Sequence, residues 1–206
     1  MHCPTIFREE RLDRLHDLIG AHPLATLITS GSNGLMANLI PFSLHADSGY
    51  GILRAHLARG NRQLDALREA GEALVVFHGP DGYVTPSWYP AKAEHGKVVP
   101  TWNFAMVQAR GKPRVIDDAD WLLAQIGLLT DEQEKGRAHP WQVSDAPDDY
   151  VAAQLKGIVG IEIPILSLEG KWKMSQNRQA ADRQGVLDGL SAEGGCPSLL
   201  AAMKNI

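Results

Sequence analysis

Residues 54–64 read RAHLARGNRQL, a stretch with the residue types to hold an anion. A strand that ends at a glycine turn and passes into a helix leaves backbone N–H groups free, and these attract phosphate together with the helix dipole. Arg59 offers a charged fork there, and Asn61 a side-chain donor or helix cap. The same residues also fit a plain helix cap beside a surface arginine. A second stretch supplies rings. Tyr83, PSWYP at 86–90 and VPTWNF at 99–104 set Trp88, Tyr89 and Trp102 among Ser87, Thr101 and Asn103. Flat apolar walls with a few compact hydrogen-bonding groups are the usual lining of a ligand pocket. A hydrophobic plug or a dimer contact accounts for the rings equally well.

The third stretch, KWKMSQNRQAADR at 171–183, gathers two Lys and two Arg around Ser175, Gln176 and Asn177. It reads as a solvated basic helix start capped by Ser175 or Asn177. A helix-turn-helix is excluded here. Ala181 and Gly185 have the right separation, but Gln184, Ser191 and Gly194 stand where that motif requires apolar residues. Phosphate-loop, zinc-protease, nucleophile-elbow and dinucleotide-binding motifs are all absent. The 8 His are scattered without ligand-pair spacing, so no metal site is expected. His78 reads as a core histidine and His16 as a solvated one. No acid–base pair stands out, and no catalytic residue is assigned.

The elements that must position these residues follow from periodicity. Leu12, Leu15, Leu18 and Ile19 mark an amphipathic helix over 8–19 with Gly20 as its cap. Two apolar runs from Leu24 to Leu44 are divided by SGSNG, where Asn33-Gly34 signals a hairpin, and Pro41 marks an edge strand or bulge. Residues 51–57 form a third strand, with Ile52, Arg54 and His56 on one face and Leu53, Ala55 and Leu57 on the other. A short helix spans 61–70, and ALVVF at 73–77 is a buried strand. Residues 101–110 alternate again, with Thr101, Asn103, Ala105, Val107 and Ala109 on one face. Asp117 or Asp118 caps a helix, Pro147 opens another that stops at Gly157, and 157–166 is the last strand. The tail from Asn177 is helical, broken at EGGCP. About six antiparallel strands with inserted helices predict a mainly β, α+β barrel: one domain over 1–206, with a helical insertion at about 117–156 and a helical tail at about 177–206.

Composition bounds the function. With 206 residues, 44% hydrophobic and 21% charged, the chain can bury about 70% of its unfolded surface. No apolar run approaches the roughly 18 residues a membrane span requires, and the first twenty residues are charged rather than signal-like. Two cysteines, Cys3 and Cys196, make no disulfide framework, so a reducing cytoplasm is expected. A net charge of -4 argues against a broad DNA-binding surface and leaves room only for a local basic patch.

HLARGN (56–61), VVFHGPDGYVTPSWYP (75–90), VPTWNF (99–104), LKGIVGIEI (155–163) and KMSQNR (173–178), in this order and with the start MHCPTIF, resemble the PaiB-like family of FMN-binding negative transcriptional regulators. The resemblance covers essentially the whole chain. It implies the split β-barrel shared with pyridoxamine-phosphate oxidases and flavin reductases, a homodimer, and FMN near the subunit interface. It places the FMN phosphate at His56, Arg59 and Asn61. It sets Ser87, Trp88, Tyr89, Thr101, Trp102 and Asn103 beside the flavin ring, and Lys173, Ser175, Gln176 and Asn177 against ring or phosphate. Where the family pattern has a proline after Asn61, this chain has Arg62, a further candidate for the phosphate.

Two functions follow from that resemblance: a flavin-binding regulator, or an FMN-dependent oxidoreductase or flavin reductase using NAD(P)H, in which the cofactor carries the chemistry. A flavin or haem sensor with His56 as axial ligand is a third. Any DNA contact would use Arg110, Lys112, Arg114, Lys171, Lys173, Arg178 and Arg183. An open barrel with proline-bearing edge strands leaves apolar surface for a two-fold partner.

Overall fold

The computed structural model describes residues 1–32, 34–46, 49–69 and 71–206. The chain divides into two compact units: Ile19–Phe77 with Gln108–Leu168, and Met1–Leu18 with His78–Val107 and Glu169–Ile206. Among the described residues, nine strands, β1 (Arg8–Glu9), β2 (Leu24–Gly31), β3 (Gly34–Pro41), β4 (Ser43–His45), β5 (Ile52–Ala58), β6 (Ala73–Val84), β7 (Thr101–Gly111), β8 (Arg114–Ile116) and β9 (Ile158–Lys173), follow the hydrogen-bonded order β3-β2-β6-β7-β9-β5-β4, with β1 and β8 both on β9. Strands β6 (Ala73–Val84), β7 (Thr101–Gly111) and β9 (Ile158–Lys173) each have a part in either unit.

In the unit of Ile19–Phe77 and Gln108–Leu168, β2 (Leu24–Gly31) and β3 (Gly34–Pro41) pair along their whole length, from Leu24↔Pro41 to Gly31↔Gly34. Gly34 takes a φ of 87°, a value glycine adopts without cost; Asn33, the other half of the expected turn signal, lies outside the described residues. β5 (Ile52–Ala58) pairs antiparallel with β9 on one side and with the short β4 (Ser43–His45) on the other. Leu53, Ala55 and Leu57 point into the core, as their alternation requires. β8 (Arg114–Ile116) also pairs with β9.

Helix α2 (Gln63–Glu69) drives a polar side chain inward. Gln63 is fully buried; its amide donates to the Leu27 carbonyl at 3.0 Å and accepts from Asn38 Nδ2 at 2.8 Å. A buried amide left unpaired would cost about 1–3 kcal/mol, so this network fixes the helix against the hairpin. Helix α4 (Ala119–Glu134) starts at Asp118, whose carboxylate accepts from Trp121 N at 2.8 Å. The Trp121 ring lies on Gly160, where a Cβ would overlap it. Helix α5 (Asp148–Leu155) follows Pro147 as expected. Phe42, Phe77, Leu27, Leu53, Ile161 and Ile163 form the centre of this unit's core.

In the other unit the expected helix over 8–19 is corrected. Arg8–Glu9 is a strand, β1, paired with Gly170 and Lys171, and helix α1 runs Leu12–Ala21, so Gly20 is helical rather than a cap. The physical reason is Glu9. Its buried carboxylate takes Arg11 Nη2 at 2.7 Å, Arg14 Nη1 at 3.0 Å and the Arg11 backbone N–H at 3.0 Å. The Arg11 bond, then Arg14, holds Glu9 below the ordinary carboxylate range. The outer half of β6 continues through His78-Gly-Pro-Asp-Gly82, a sequence that reads as a turn. It stays extended because Gly79 lets Leu18 and the Ala105 carbonyl approach, and Gly82 lets Leu199 approach. The tail forms α6 (Ala180–Ala192) and α7 (Pro197–Lys204), separated where the sequence breaks. Helix α3 (Ala91–His95) was not expected.

Candidate functional site

The β5–α2 turn already uses most of its polar groups. Arg59 forms a two-pronged pair with Asp117 at 2.7 Å and donates to the Lys156 and Ile158 carbonyls. The pair lowers the Asp117 pKa and raises that of Arg59, chiefly through the hydrogen bond they share. Asn61 caps α2, its Oδ1 accepting from Gln63 N at 2.9 Å. His56 Nδ1 lies 2.8 Å from the Gln125 side-chain oxygen of α4. Arg59 and Arg62 are both exposed, and Arg59 is the one tied to a carboxylate.

In the unit of Met1–Leu18, His78–Val107 and Glu169–Ile206, the aromatic segment has two separate roles. Ser87, Trp88 and Tyr89 sit on a 3-10 turn, Pro86–Trp88, packed onto α6. Gly185 and Gly189, one helical turn apart, make this possible: a methyl group at the first would overlap the Trp88 carbonyl, and at the second the indole ring. Trp88 Nε1 donates to Glu193 at 3.2 Å, and Ser87 Oγ accepts from Lys92 at 3.1 Å. Tyr89 is buried with the Arg178 guanidinium 4.8 Å over its ring, and burial raises its phenol pKa. We expect Gly185→Ala and Gly189→Ala each to lower stability by about 1–3 kcal/mol, the range for overpacking, although alanine is the better helix former. Thermal unfolding would show a drop of several degrees; an unchanged midpoint would contradict the packing assigned to Trp88.

Trp102 is different. It is 54% exposed and meets Tyr83, 48% exposed, edge to face at 5.8 Å between ring centroids. Beside this pair, Lys173 Nζ donates to Thr101 Oγ1 and to the Trp102 carbonyl at 2.6 Å. An ammonium has three donors, so one N–H is left for a ligand. Lys171 lies 5.3 Å over the Phe104 ring. Among the described residues no carboxylate pairs with Lys171, Lys173 or Arg178. Burial, then the charges of Lys171 and Arg178, lowers the pKa of Lys173.

Behind this face, Asn103 and Ser175 are both buried and bonded to each other: Asn103 Nδ2 donates to Ser175 Oγ at 3.0 Å, and Ser175 Oγ donates to Asn103 Oδ1 at 3.1 Å. Gln176 closes the same turn, accepting from Met174 N and donating to the Trp172 carbonyl, both at 2.6 Å. Asn177 is exposed. The structure therefore brings Thr101, Trp102, Asn103, Lys173, Ser175 and Gln176 together, and sets Ser87, Trp88 and Tyr89 on α6. Sequence reading missed Gly185 and Gly189, whose four-residue spacing was the available signal.

The family described as "Putative FMN-binding domain" matches residues 1–167. The chain belongs to that family. FMN is accordingly its cofactor, and the PaiB resemblance holds as well: the Bacillus subtilis protease synthase and sporulation protein PAI 2 is 26% identical, over 94% of this chain and 90% of its own. An uncharacterized protein of Emericella nidulans is 39% identical over 92% of this chain and 90% of its own. Among solved structures, the FAD and heme binding protein of Mycobacterium smegmatis has a TM-score of 0.63 at 21% identity, covering 92% of this chain and 80% of that one. The flavocytochrome Anf3 of Azotobacter vinelandii has a TM-score of 0.59 at 15% identity, covering 81% and 69%. The fold of this FMN-binding family member is the antiparallel split barrel with helices that the motifs implied. Among its described residues, no group of His, Cys, Asp and Glu could hold a metal ion, and no helix is long and apolar enough to cross a membrane.

The residues present fit a flavin phosphate. FMN presents a phosphate dianion and a flat ring system; Lys171, Lys173 and Arg178 present cations that no described carboxylate neutralises, though Lys171 donates to the His2 carbonyl and Arg178 lies over Tyr89, and Trp102 and Tyr83 present exposed rings.

Proposed function

We propose that this chain is a homodimeric FMN-binding regulator of the PaiB type, in which Lys173 anchors the FMN phosphate and Trp102 lies against the flavin. The observation that carries this reading is the Lys173 ammonium: half-buried, crowded by two cations, and without an acidic partner among the described residues. A desolvated cation in that state gains more from a bound dianion than a solvated surface lysine would. Thr101 orients the lysine. Ser87, Trp88 and Tyr89 support the neighbouring wall, and Gln176 and Asn177 belong to the turn that follows. His56, Arg59, Asn61 and Arg62 form the alternative phosphate anchor, with Arg62 as its free cation.

The dimer has support in the β2–β3 hairpin, whose described residues in both strands carry no charge. Leu35 is 80%, Leu39 62% and Leu24 55% exposed, and β3 ends the strand order. Edge strands of lasting monomers usually carry charges or are covered. Regulation is supported by the likeness to the Bacillus sporulation protein. DNA would meet the local basic patch at the β7–β8 junction, Arg110, Lys112 and Arg114, of which Arg110 pairs with Glu72 and Arg114 with Glu162; Arg183 is turned to the Met203 carbonyl and does not join it. A cytoplasmic location belongs to this same reading.

The test is optical. The purified protein, supplied with FMN, should show the flavin absorbance bands and keep them on gel filtration, with no rapid bleaching by NADH or NADPH. A colourless protein that ignores FMN would end the reading. Bound flavin bleached within seconds would favour the oxidoreductase, for which the exposed Trp102 and Tyr83 face leaves room for a nicotinamide.

A further inference from the structure

We infer that Asn103 and Ser175 form a buried bolt whose role is to position Lys173, rather than to touch the cofactor. The inference rests on the reading of Lys173 as the phosphate anchor.

Three observations converge on it. First, neither side chain faces a ligand: Asn103 is 0% and Ser175 3% exposed, and each bonds the other. Asn103 Nδ2 also lies 3.4 Å from Met203 Sδ of α7, so its amide is enclosed by protein on each side that has a contact. Second, Ser175 takes a φ of 61°, the single non-glycine residue in the left-handed region among the described residues. Serine pays for that conformation. A glycine would adopt it freely, so the hydroxyl is what the position retains. Third, the left-handed residue lies two positions past Lys173, where β9 ends and the chain reverses. Gln176 ties Met174 N and the Trp172 carbonyl, and Arg178 N donates to the Ser175 carbonyl at 3.0 Å. The turn from 172 to 178 is thus closed on itself and fastened to β7 at its tip by Asn103, beside the bonds of Lys173 to Thr101 and Trp102.

The consequence is geometric. β7 contributes Thr101 and Trp102 as acceptors for Lys173, and the next residue, Asn103, holds Ser175. With both strand and turn fixed, the ammonium has one place to be, beside the exposed rings and between Lys171 and Arg178. Without the bolt, the turn can relax and the lysine swings to solvent.

The test is a set of FMN titrations of the full-length protein across pH, with Lys173→Ala, Asn103→Leu, Ser175→Gly and the double variant Ser175→Gly/Lys173→Ala. Asn103→Leu keeps the volume and removes the bonds; Ser175→Gly keeps the backbone and removes the hydroxyl. Circular dichroism checks folding, and Ser175→Gly carries the test should Asn103→Leu not fold. We expect Ser175→Gly and Asn103→Leu to weaken FMN about tenfold near neutral pH. The pH at which affinity falls should also move up, because a released lysine titrates nearer its ordinary value. Ser175→Gly should cost nothing further once Lys173 is alanine. Folded Ser175→Gly that binds FMN like the wild type, while Lys173→Ala does not, would overturn the bolt and leave the anchor standing. Unchanged binding by Lys173→Ala would overturn both.

Discussion

Lys173→Ala is expected to weaken FMN binding by roughly tenfold to a hundredfold, the range that follows from one charge-assisted hydrogen bond of about 1.5–3 kcal/mol. The pH profile carries the sign. The lysine pKa is lowered by burial first and by Lys171 and Arg178 next. The phosphate binds the charged form, so affinity is full below that pKa and falls as pH rises through it, earlier than for an ordinary lysine. In Lys173→Ala this fall should disappear. Arg62→Ala separates the two anchors: it should leave FMN affinity nearly unchanged if Lys173 holds the phosphate, and should weaken it most if the β5–α2 turn does. Arg59 is the poorer probe. Its removal also strands the Asp117 carboxylate and two carbonyl contacts.

The second large effect concerns the hairpin. Leu35→Glu/Leu39→Glu places two like charges on the exposed face of β3. Both leucines are already in solvent, so folding should change little, within about 0.5 kcal/mol per site. A two-fold contact across that face would bring four carboxylates together in a desolvated seam, a cost of several kcal/mol. We expect the wild type to sediment as a dimer and the double variant as a folded monomer. A double variant that stays dimeric would move the interface elsewhere. A wild-type monomer that binds FMN fully would remove the dimer from the account.

The hairpin, the alternating β5 and β7, and the helices after Asp118 and Pro147 were legible because each is written locally, in period-two alternation or a capping residue. The lengths of β6 and β9 were not. The stretch from His78 to Gly82 carries turn residues, and it stays extended only because Leu18, Ala105 and Leu199 crowd the places where side chains would stand. Tertiary contact decided that strand. The same holds for Glu9, whose two arginine partners fold a helical pattern into a strand start. At the candidate site, residue types marked the segments but not the division of labour among them. Trp88 and Trp102 look alike in sequence. One is tied to α6 by two glycines nearly a hundred residues on, and the other faces solvent beside Lys173. Asn103 falls on the inward face by alternation, yet only its pairing with Ser175 shows why a polar group belongs there.

The phosphate is the part of FMN that riboflavin lacks, so the most direct measurement is the ratio of affinities for the two, taken calorimetrically on wild type and Lys173→Ala at neutral pH. A Lys173 anchor predicts a clear preference for FMN in the wild type that shrinks at least tenfold in the variant, with riboflavin binding nearly unchanged. An FMN preference that survives intact in Lys173→Ala would contradict it.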